Sequence, residues 1–276
     1  MSRPAVVTVS YDSADVLPGF LTSLRAAGAA ADVVVVDNAT PVPGELAAIV
    51  AAGGARLLEL ADNRGYGGAV NAGIATLAAD VDLVLIANPD IEFAPGSLDV
   101  LAAAARADPD AASFGPLVLQ PDGRPYPSAR NLPSLRTGVG HALFGTVWPG
   151  NPWTRSYRQE DDLTPRDAGW LSGSCLLVRR SAFEAIGGFD ERYFMYFEDV
   201  DLGSRFGRAG WRNRYVPDAV VTHAGAHSTS RRRREMERAH HRSAYRYVAA
   251  KYSQWYLAPL RLSLRGGIAL RERLTR

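Results

Sequence analysis

The sixteen residues from Gly187 to Leu202, GGFDERYFMYFEDVDL, hold the densest group of chemically capable side chains in the chain. A Gly-Gly turn and an aromatic cluster lead into Glu198, Asp199 and Asp201. From Asp199 to Ala209 the spacing predicts a helix with Val200, Phe206 and Ala209 on one face, Asp201 and Arg205 four residues apart, and Gly210 as its stop. Glu198 and Asp199 then stand at a helix N-terminus, where the backbone dipole favours ionised carboxylates and hence a base. An acidic cap on an ordinary surface helix fits the same pattern, so other polar clusters must decide. Asn88-Pro89-Asp90 places an amide and a carboxylate two residues apart, a pair suited to a hard divalent cation that keeps its other positions for water and substrate phosphates. His223 offers an imidazole nitrogen to the same ion, although NPD is also a common turn and a lone histidine is often structural. The turn Asn63-Arg64-Gly65-Tyr66-Gly67-Gly68 puts glycines and free amides at a helix start, which suits a phosphate. It lacks GxGxxG spacing and follows a third strand, pointing to a mononucleotide-type ligand rather than a dinucleotide.

The elements that would hold these groups alternate regularly. Strands are expected at Ala5 to Ser10, Asp32 to Asp37, Ala55 to Leu60, Val81 to Ala87 and Ala112 to Leu119. Helices are expected at Asp15 to Ala27, Glu45 to Ala52, from the glycine turn to Ala79, and at Ser97 to Ala107. The near-continuous apolar character of Val81 to Ala87 is that of a strand buried on both faces. The pattern predicts an α/β fold, a Rossmann-like, mostly parallel sheet flanked by helices. Ligands of such sheets bind beyond the carboxyl ends of the strands. Ser10, Tyr11, Asp12, Asp37, Asn38, Asp62, Asn63, Asn88 and Asp90 all fall there. Gln120 to Asp167 has no period and reads as a long covering loop. Trp170 to Arg179 reads as a strand, Ser181 to Ile186 as a short helix, and Asn213 to Val216 and Ala219 to Thr222 as two short strands around Pro217. Met236 to Lys251 is helical, and Trp255 to Leu274 has leucines on one side, with Gly266 and Gly267 weakening it as one helix.

With 276 residues, 47% of them hydrophobic, the chain has enough material for one large domain with additions or for two small ones. The single Cys175 excludes a disulfide framework, and a strand so near Met1 is expected to leave no room for a signal sequence; both point to the cytoplasm. The small net charge conceals an asymmetry. Residues 231 to 276 carry 13 of the 31 Arg and Lys and only 3 of the 29 Asp and Glu, leaving 26 acidic against 18 basic side chains in the first 230. An acidic body without a recognition motif argues against a nucleic-acid partner. The basic tail fits contact with an anionic membrane surface, packing on the body, or homodimerisation.

Taken in order, VSYDS, VVVDNA, NRGYGGAVNAG, IANPD, GWLSGSCLLVRR, GGFDERYFMYFEDVDL and HAGAHS resemble the inverting family 2 glycosyltransferases of the GT-A fold, most closely their rhamnosyltransferase branch. The likeness runs from about residue 5 to 228. It implies a glycosyltransferase domain over 1–230, with a nucleotide-binding half (1–119) and an acceptor half (120–230), followed by a basic helical extension (231–276). It also implies transfer of a sugar, rhamnose being the branch's own, from a dTDP- or UDP-sugar to a saccharide or polyprenyl-diphosphate-linked acceptor of the cell envelope, with Mg2+ or Mn2+ on the pyrophosphate. The place of work would be the inner face of the cell membrane.

By the same resemblance, Ser10, Tyr11, Asp12 and Asp37 contact the nucleotide, as do Asn63, Arg64, Gly65, Asn71 and Asn88. Asp90 is the last position of the family's metal-binding DxD, its first position here being Asn88, and His223 joins the metal. Trp170 and Gly173 lie near donor sugar and acceptor, and Asp199 is the general base. Glu198 orients the helix start or the acceptor, and Phe194, Tyr196 and Phe197 give a sugar ring an apolar flank. An alternative on the same fold is a nucleotide-sugar or saccharide-binding protein that has lost the chemistry.

Overall fold

The computed structural model describes residues 3–28, 30, 32–42, 44–133, 162–224, 233–259, 261–263 and 265–267. Strands β1 (Ala5–Ser10), β2 (Val33–Asp37), β3 (Arg56–Glu59) and β4 (Leu83–Ala87) alternate with helices α1 (Leu17–Ala27), α2 (Leu46–Ala52) and α3 (Gly65–Ala75). Next come β5 (Ile91–Phe93), α4 (Ser97–Ala107) and β6 (Ala111–Leu119), then the short strands β7 (Pro125–Tyr126), β8 (Ala129–Arg130), β9 (Arg166–Ala168) and β10 (Trp170–Leu171). β11 (Cys175–Arg179), α5 (Arg180–Ala185), α6 (Glu198–Arg208), β12 (Arg212–His223) and α7 (Arg233–Lys251) complete the order.

The main sheet runs β3-β2-β1-β4-β11-β6-β12-β5, with β7 on β6 and β9 on β12. Its first four strands are parallel, as their connecting helices require. β11 then enters antiparallel between β4 and β6, and β5 pairs antiparallel with the far end of β12. One apolar cluster packs α1, α2 and α4 against one sheet face, and a second packs α3, α5 and α6 against the other. Leu85 and Ile86 are each fully buried in opposite clusters, which explains the unbroken apolar run of β4.

Several expectations are corrected. Trp170 to Arg179 is two strands, because Ser172 to Ser174 leaves the ladder; the Gly173 amide donates to a side chain and its carbonyl accepts from another. The two strands around Pro217 are one, β12, whose register with β6 slips between Val216 and Val220. Proline lacks the ladder N–H, and a bulge absorbs it without ending the strand. Ala209 is exposed, and Leu202 and Gly203 share the buried face of α6 with Val200 and Phe206. Of the expected covering loop, 134–161 lies outside the described residues, as do His227, Arg231 and Arg232.

The helical tail packs on the body. Tyr247 of α7 is buried among Trp170, Tyr193 and Val200, Ser243 Oγ donates to the Met195 carbonyl at 2.9 Å, and Lys251 Nζ donates to Pro133 O at 2.6 Å. Beyond α7 the chain turns outward: Trp255, Tyr256 and Leu262 are 84%, 61% and 66% exposed.

Candidate active site

At the carboxyl ends of β1 and β2, a cleft of about 290 Å³ is lined by Ser10, Asp12, Ser13, Thr40 and Leu46 among others. Asp37 is buried and accepts from the Thr40 amide at 3.2 Å and hydroxyl at 2.5 Å, while the Asp12 amide donates to Thr40 Oγ1 at 3.3 Å. Asp12 and Ala39 take positive φ, 55° and 59°, so both strand ends turn sharply to open this edge. Asp12 is exposed at the rim, Tyr11 is half-buried, and Ser10 is buried beneath, 3.4 Å from Ser13 Oγ.

The glycine turn is tied to this edge by Asn38, a residue whose importance lies in its partners. Its Nδ2 donates to Asn63 Oδ1 (3.0 Å) and Gly65 O (3.1 Å), and its Oδ1 accepts from the Arg64 amide (2.9 Å). The Gly65 amide donates to Asn63 Oδ1, and the Tyr66 amide to the Phe194 carbonyl at 3.1 Å. The amides of Arg64, Gly65 and Tyr66 therefore have protein acceptors, so in this arrangement these three do not face a phosphate as expected. The close approach that Gly65 permits, at φ 71°, serves the backbone of Phe194, whose Cα would lie 2.8 Å from any Cβ there. Asn71 is likewise turned inward: its Oδ1 accepts from the Phe189 amide (2.9 Å), and its Nδ2 donates to Phe189 O (2.9 Å) and Glu191 (3.1 Å). In this arrangement Asn71 clasps the Gly187 to Leu202 run instead of facing the nucleotide edge.

The structure brings Asn88, Asp90 and His223 together. His223 Nε2 is 3.2 Å from Asp90 Oδ1 and 3.4 Å from Asn88 Nδ2, because β5 pairs with the end of β12 and the Ala224 amide donates to Asp90 O. Among the described residues no group of three or more His, Cys, Asp and Glu side chains is arranged to hold a metal ion by itself. One carboxylate and one imidazole are a two-ligand set. It fits a hard divalent cation that takes its remaining positions from water and diphosphate oxygens, and not a closed structural site.

One backbone link away is the third corner. The Asn88 amide donates to Ser174 O (2.8 Å), and the neighbouring Gly173 amide donates to Asp199 Oδ2 (3.0 Å). Asp199 Oδ1 accepts from the Val200 amide at 2.8 Å. The Tyr66 hydroxyl, which the motifs had not singled out, donates to Gly173 O at 2.6 Å and fixes that turn. Glu198 and Asp199 do open α6, but the ionisation that the helix end was expected to favour in both is overturned for Glu198 by burial. Burial, and then the charge of Asp199, push the Glu198 carboxyl from 4.5 up to about 8; burial also raises Asp199, against two amide bonds and the charge of Arg130. Of the pair, Glu198 takes the proton, since Asp199 holds the two amide donors and Glu198 Oε2 has none. Burial thereby leaves Asp199, the better hydrogen-bonded of the two, a carboxyl of increased basicity.

Three polar corners thus converge: the cleft at the ends of β1 and β2, the Asp90–His223 pair, and the half-buried Asp199 beside the buried Glu198. The chain matches the family model "Glycosyl transferase family 2" over residues 5–187, and "Glycosyltransferase like family 2" over 152–242. This chain belongs to glycosyltransferase family 2.

Among its relatives, the glycosyltransferase is 50% identical over 280 residues to N-acetylglucosaminyl-diphospho-decaprenol L-rhamnosyltransferase of Mycobacterium tuberculosis, covering 98% of this chain and 91% of that one. It is 31% identical over 196 residues to rhamnosyltransferase WbbL of Escherichia coli, covering 68% and 71%. Its fold is similar to that of mannosyltransferase PcManGT from Pyrobaculum calidifontis in complex with GDP-Man and Mn2+ (TM-score 0.61, 17% identity, 98% and 70% covered). It is also similar to GalNAc-T7 with UDP, GalNAc and Mn2+ (TM-score 0.60, 13% identity, 82% and 44% covered). The GT-A architecture expected from the motifs is thus borne out.

Beside Asp199 of this glycosyltransferase, Tyr196 and Phe197 both take φ of 67°, a strained conformation for such residues. The Asp201 amide on Phe197 O, the Ser243 hydroxyl on Met195 O and the rings of His240 and Tyr247 hold them there. Asp201 pairs with Arg205 at 2.6 Å as its spacing predicted, and Phe194 is 46% exposed at the rim. Cys175 is buried with its thiol pushed up, which removes it as a nucleophile.

A stability prediction follows from Glu198. Its proton is bound more tightly in the folded chain than in the unfolded one. Its contribution is therefore fully present below pH 4.5 and lost as pH rises through about 8. Glu198→Gln, which mimics the protonated form, is expected to raise Tm by on the order of 5 °C at pH ~9 and to leave it nearly unchanged at pH ~4. Thermal melts of both proteins across that range check this; equal melts at the alkaline end contradict it.

Proposed function

We propose that this glycosyltransferase moves rhamnose, with inversion, from dTDP-rhamnose to the N-acetylglucosamine of a polyprenyl-diphosphate carrier. The identity with the mycobacterial relative, extending over nearly the whole of both chains, is what carries the sugar and the acceptor. The nucleotide lies at the edge made by Ser10, Tyr11, Asp12 and Asp37. Asp90 and His223 would hold Mg2+ or Mn2+, which supplies positive charge to the leaving diphosphate. Asp199 takes the proton of the acceptor hydroxyl as its oxygen bonds to the sugar's anomeric carbon. The bond from that carbon to the diphosphate oxygen breaks, and the nucleoside diphosphate leaves with the electron pair. Gly173 and Val200 orient the carboxylate, Tyr66 fixes Gly173, and Trp170, Tyr196 and Phe197 form the wall beside it. Incubating wild type with dTDP-rhamnose and a polyprenyl-diphosphate-linked N-acetylglucosamine, with each alone as control, tests the reading. Product is expected only with both; donor turnover on unrelated acceptors alone would overturn it.

No described helix is long and apolar enough to cross a membrane. The reading therefore has the enzyme meet its lipid-linked acceptor peripherally, at the inner face of the cell membrane. The exposed Trp255, Tyr256 and Leu262, interleaved with Arg261 and Arg265, have the composition of an interfacial anchor, and they follow the α7 end that sits on Pro133. Trp255→Ala with Tyr256→Ala is expected to weaken binding to anionic vesicles about 10-fold while leaving donor binding unchanged. Vesicle flotation measures this, and undiminished flotation would remove the anchor. Substitution is a cleaner test than deleting 231–276, which would strip Tyr247 from its buried position.

A further inference from the structure

Arg130 occupies a place that its sequence surroundings do not announce. β8 pairs antiparallel with β10 so that Arg130 lies directly opposite Trp170. Its guanidinium carbon sits 5.2 Å from the Trp170 ring and 5.3 Å from the Tyr126 ring, and its Nε donates to Pro127 O. The Trp170 indole N–H is fixed in turn on Asn131 O at 3.1 Å. Such a stack immobilises a long side chain that would otherwise lose much rotamer freedom on binding an anion.

Two features direct this cation at the acceptor side of the site. Tyr126 is 36% exposed, so the stack opens to solvent. Trp170, on which the guanidinium stacks, packs in one cluster with Val200 and Phe197 on either side of Asp199, and the turn that follows Trp170 and Leu171 donates the Gly173 amide to Asp199, so the stack and that carboxylate are held by the same short segment; the Arg130 charge also acts on the Asp199 carboxyl. Asp90 and His223 serve the donor's diphosphate from another corner, beyond the Ser172 to Ser174 turn.

We propose that Arg130, clamped between Tyr126 and Trp170, binds the diphosphate of the acceptor and so selects a diphosphate-linked saccharide over a neutral one. This rests on the proposed acceptor. A planar guanidinium matches phosphate oxygens with paired N–H donors, and a lysine ammonium does not reproduce the fork or the stacking. The N-acetylglucosamine hydroxyl that loses its proton and the diphosphate on the same sugar then have separate receptors, Asp199 and Arg130, which orient the ring between them.

The experiment compares wild type, Arg130→Ala and Arg130→Lys on two acceptors: a short-chain polyprenyl-diphosphate N-acetylglucosamine and a neutral alkyl N-acetylglucosaminide. For the diphosphate acceptor, KM is expected to rise about 10- to 100-fold in both variants, with Lys the milder. Loss of the charge that acts on Asp199 touches both acceptors alike, so the proposal is read in their ratio: the loss of kcat/KM on the diphosphate acceptor should exceed that on the neutral one at least 10-fold, while a donor KM within about 3-fold of wild type shows that the variants fold. An equal loss on both acceptors with a shifted pH–rate profile would overturn the proposal and make Arg130 a positioning residue for Asp199. Unchanged kinetics throughout would make the stack structural. Should wild type ignore the diphosphate acceptor while using other sugars' carriers, the proposed acceptor itself fails and this inference falls with it.

Discussion

Asp199→Asn is expected to lower kcat by about 10³-fold while nucleotide binding is retained, the size of effect seen when a positioned general base is removed. The substitution is close to isosteric. The side-chain carbonyl of asparagine still accepts from one of the two amides that now bond to the carboxylate, Gly173 or Val200. What disappears is proton affinity. The nucleotide edge and the Asp90 corner lie on other elements, so the donor site stays intact. The test pairs turnover with a direct donor titration: turnover within a few-fold of wild type would move the base elsewhere. Lost donor binding would mean that the α6 start supports the donor site as a whole. Glu198→Gln is the informative companion, because Glu198 already carries its proton at neutral pH in the folded chain and its amide should keep most of the activity there.

That division of labour between adjacent carboxylates was not legible in the sequence, although both residues were. A helix start argues for two ionised groups, and the helix start is real. The outcome depends on Glu198 being only 7% exposed with an oxygen lacking any hydrogen-bond partner, facts created by tertiary packing around the start of α6. Strand and helix alternation was legible because β1, β2 and β4 are buried on both faces and written almost wholly in β-branched and aliphatic residues. The meeting of Asp90 with His223 was legible too, since both stand at strand ends on one edge of the sheet, 133 residues apart in the chain.

Arg130 escaped for the opposite reason. Its strand has two residues, its partner strand two more, and nothing periodic precedes a pairing of that length. Asn71 misled in a different way. A polar residue two turns into a helix that begins with a glycine turn is an inviting nucleotide ligand. Only the position of Phe189 reveals that both ends of its amide are spent on holding the catalytic run. The same applies to Gly65, where the sequence announces that something approaches closely and the structure identifies the visitor as the Phe194 backbone.

Asp90→Ala is expected to abolish the divalent-cation dependence of donor binding and to lower kcat/KM about 10²- to 10³-fold. With one imidazole left, the corner no longer offers the negative charge on which a hard cation depends, and His223 alone is a weak ligand for Mg2+ or Mn2+. The fold should survive, because the backbone of Asp90, not its side chain, accepts the Ala224 amide that aligns β5 with β12. Calorimetric titration of the nucleotide diphosphate with and without Mn2+ separates the possibilities. In wild type the cation should tighten binding at least 10-fold, and in Asp90→Ala it should not. His223→Ala should fall between the two, since the carboxylate remains while Asn88 Nδ2, now 3.4 Å from the ring, loses its neighbour. A full cation effect in the Asp90 variant would mean that diphosphate charge is neutralised by another group, and the two-ligand corner would then be a hydrogen-bonded strand junction and nothing more.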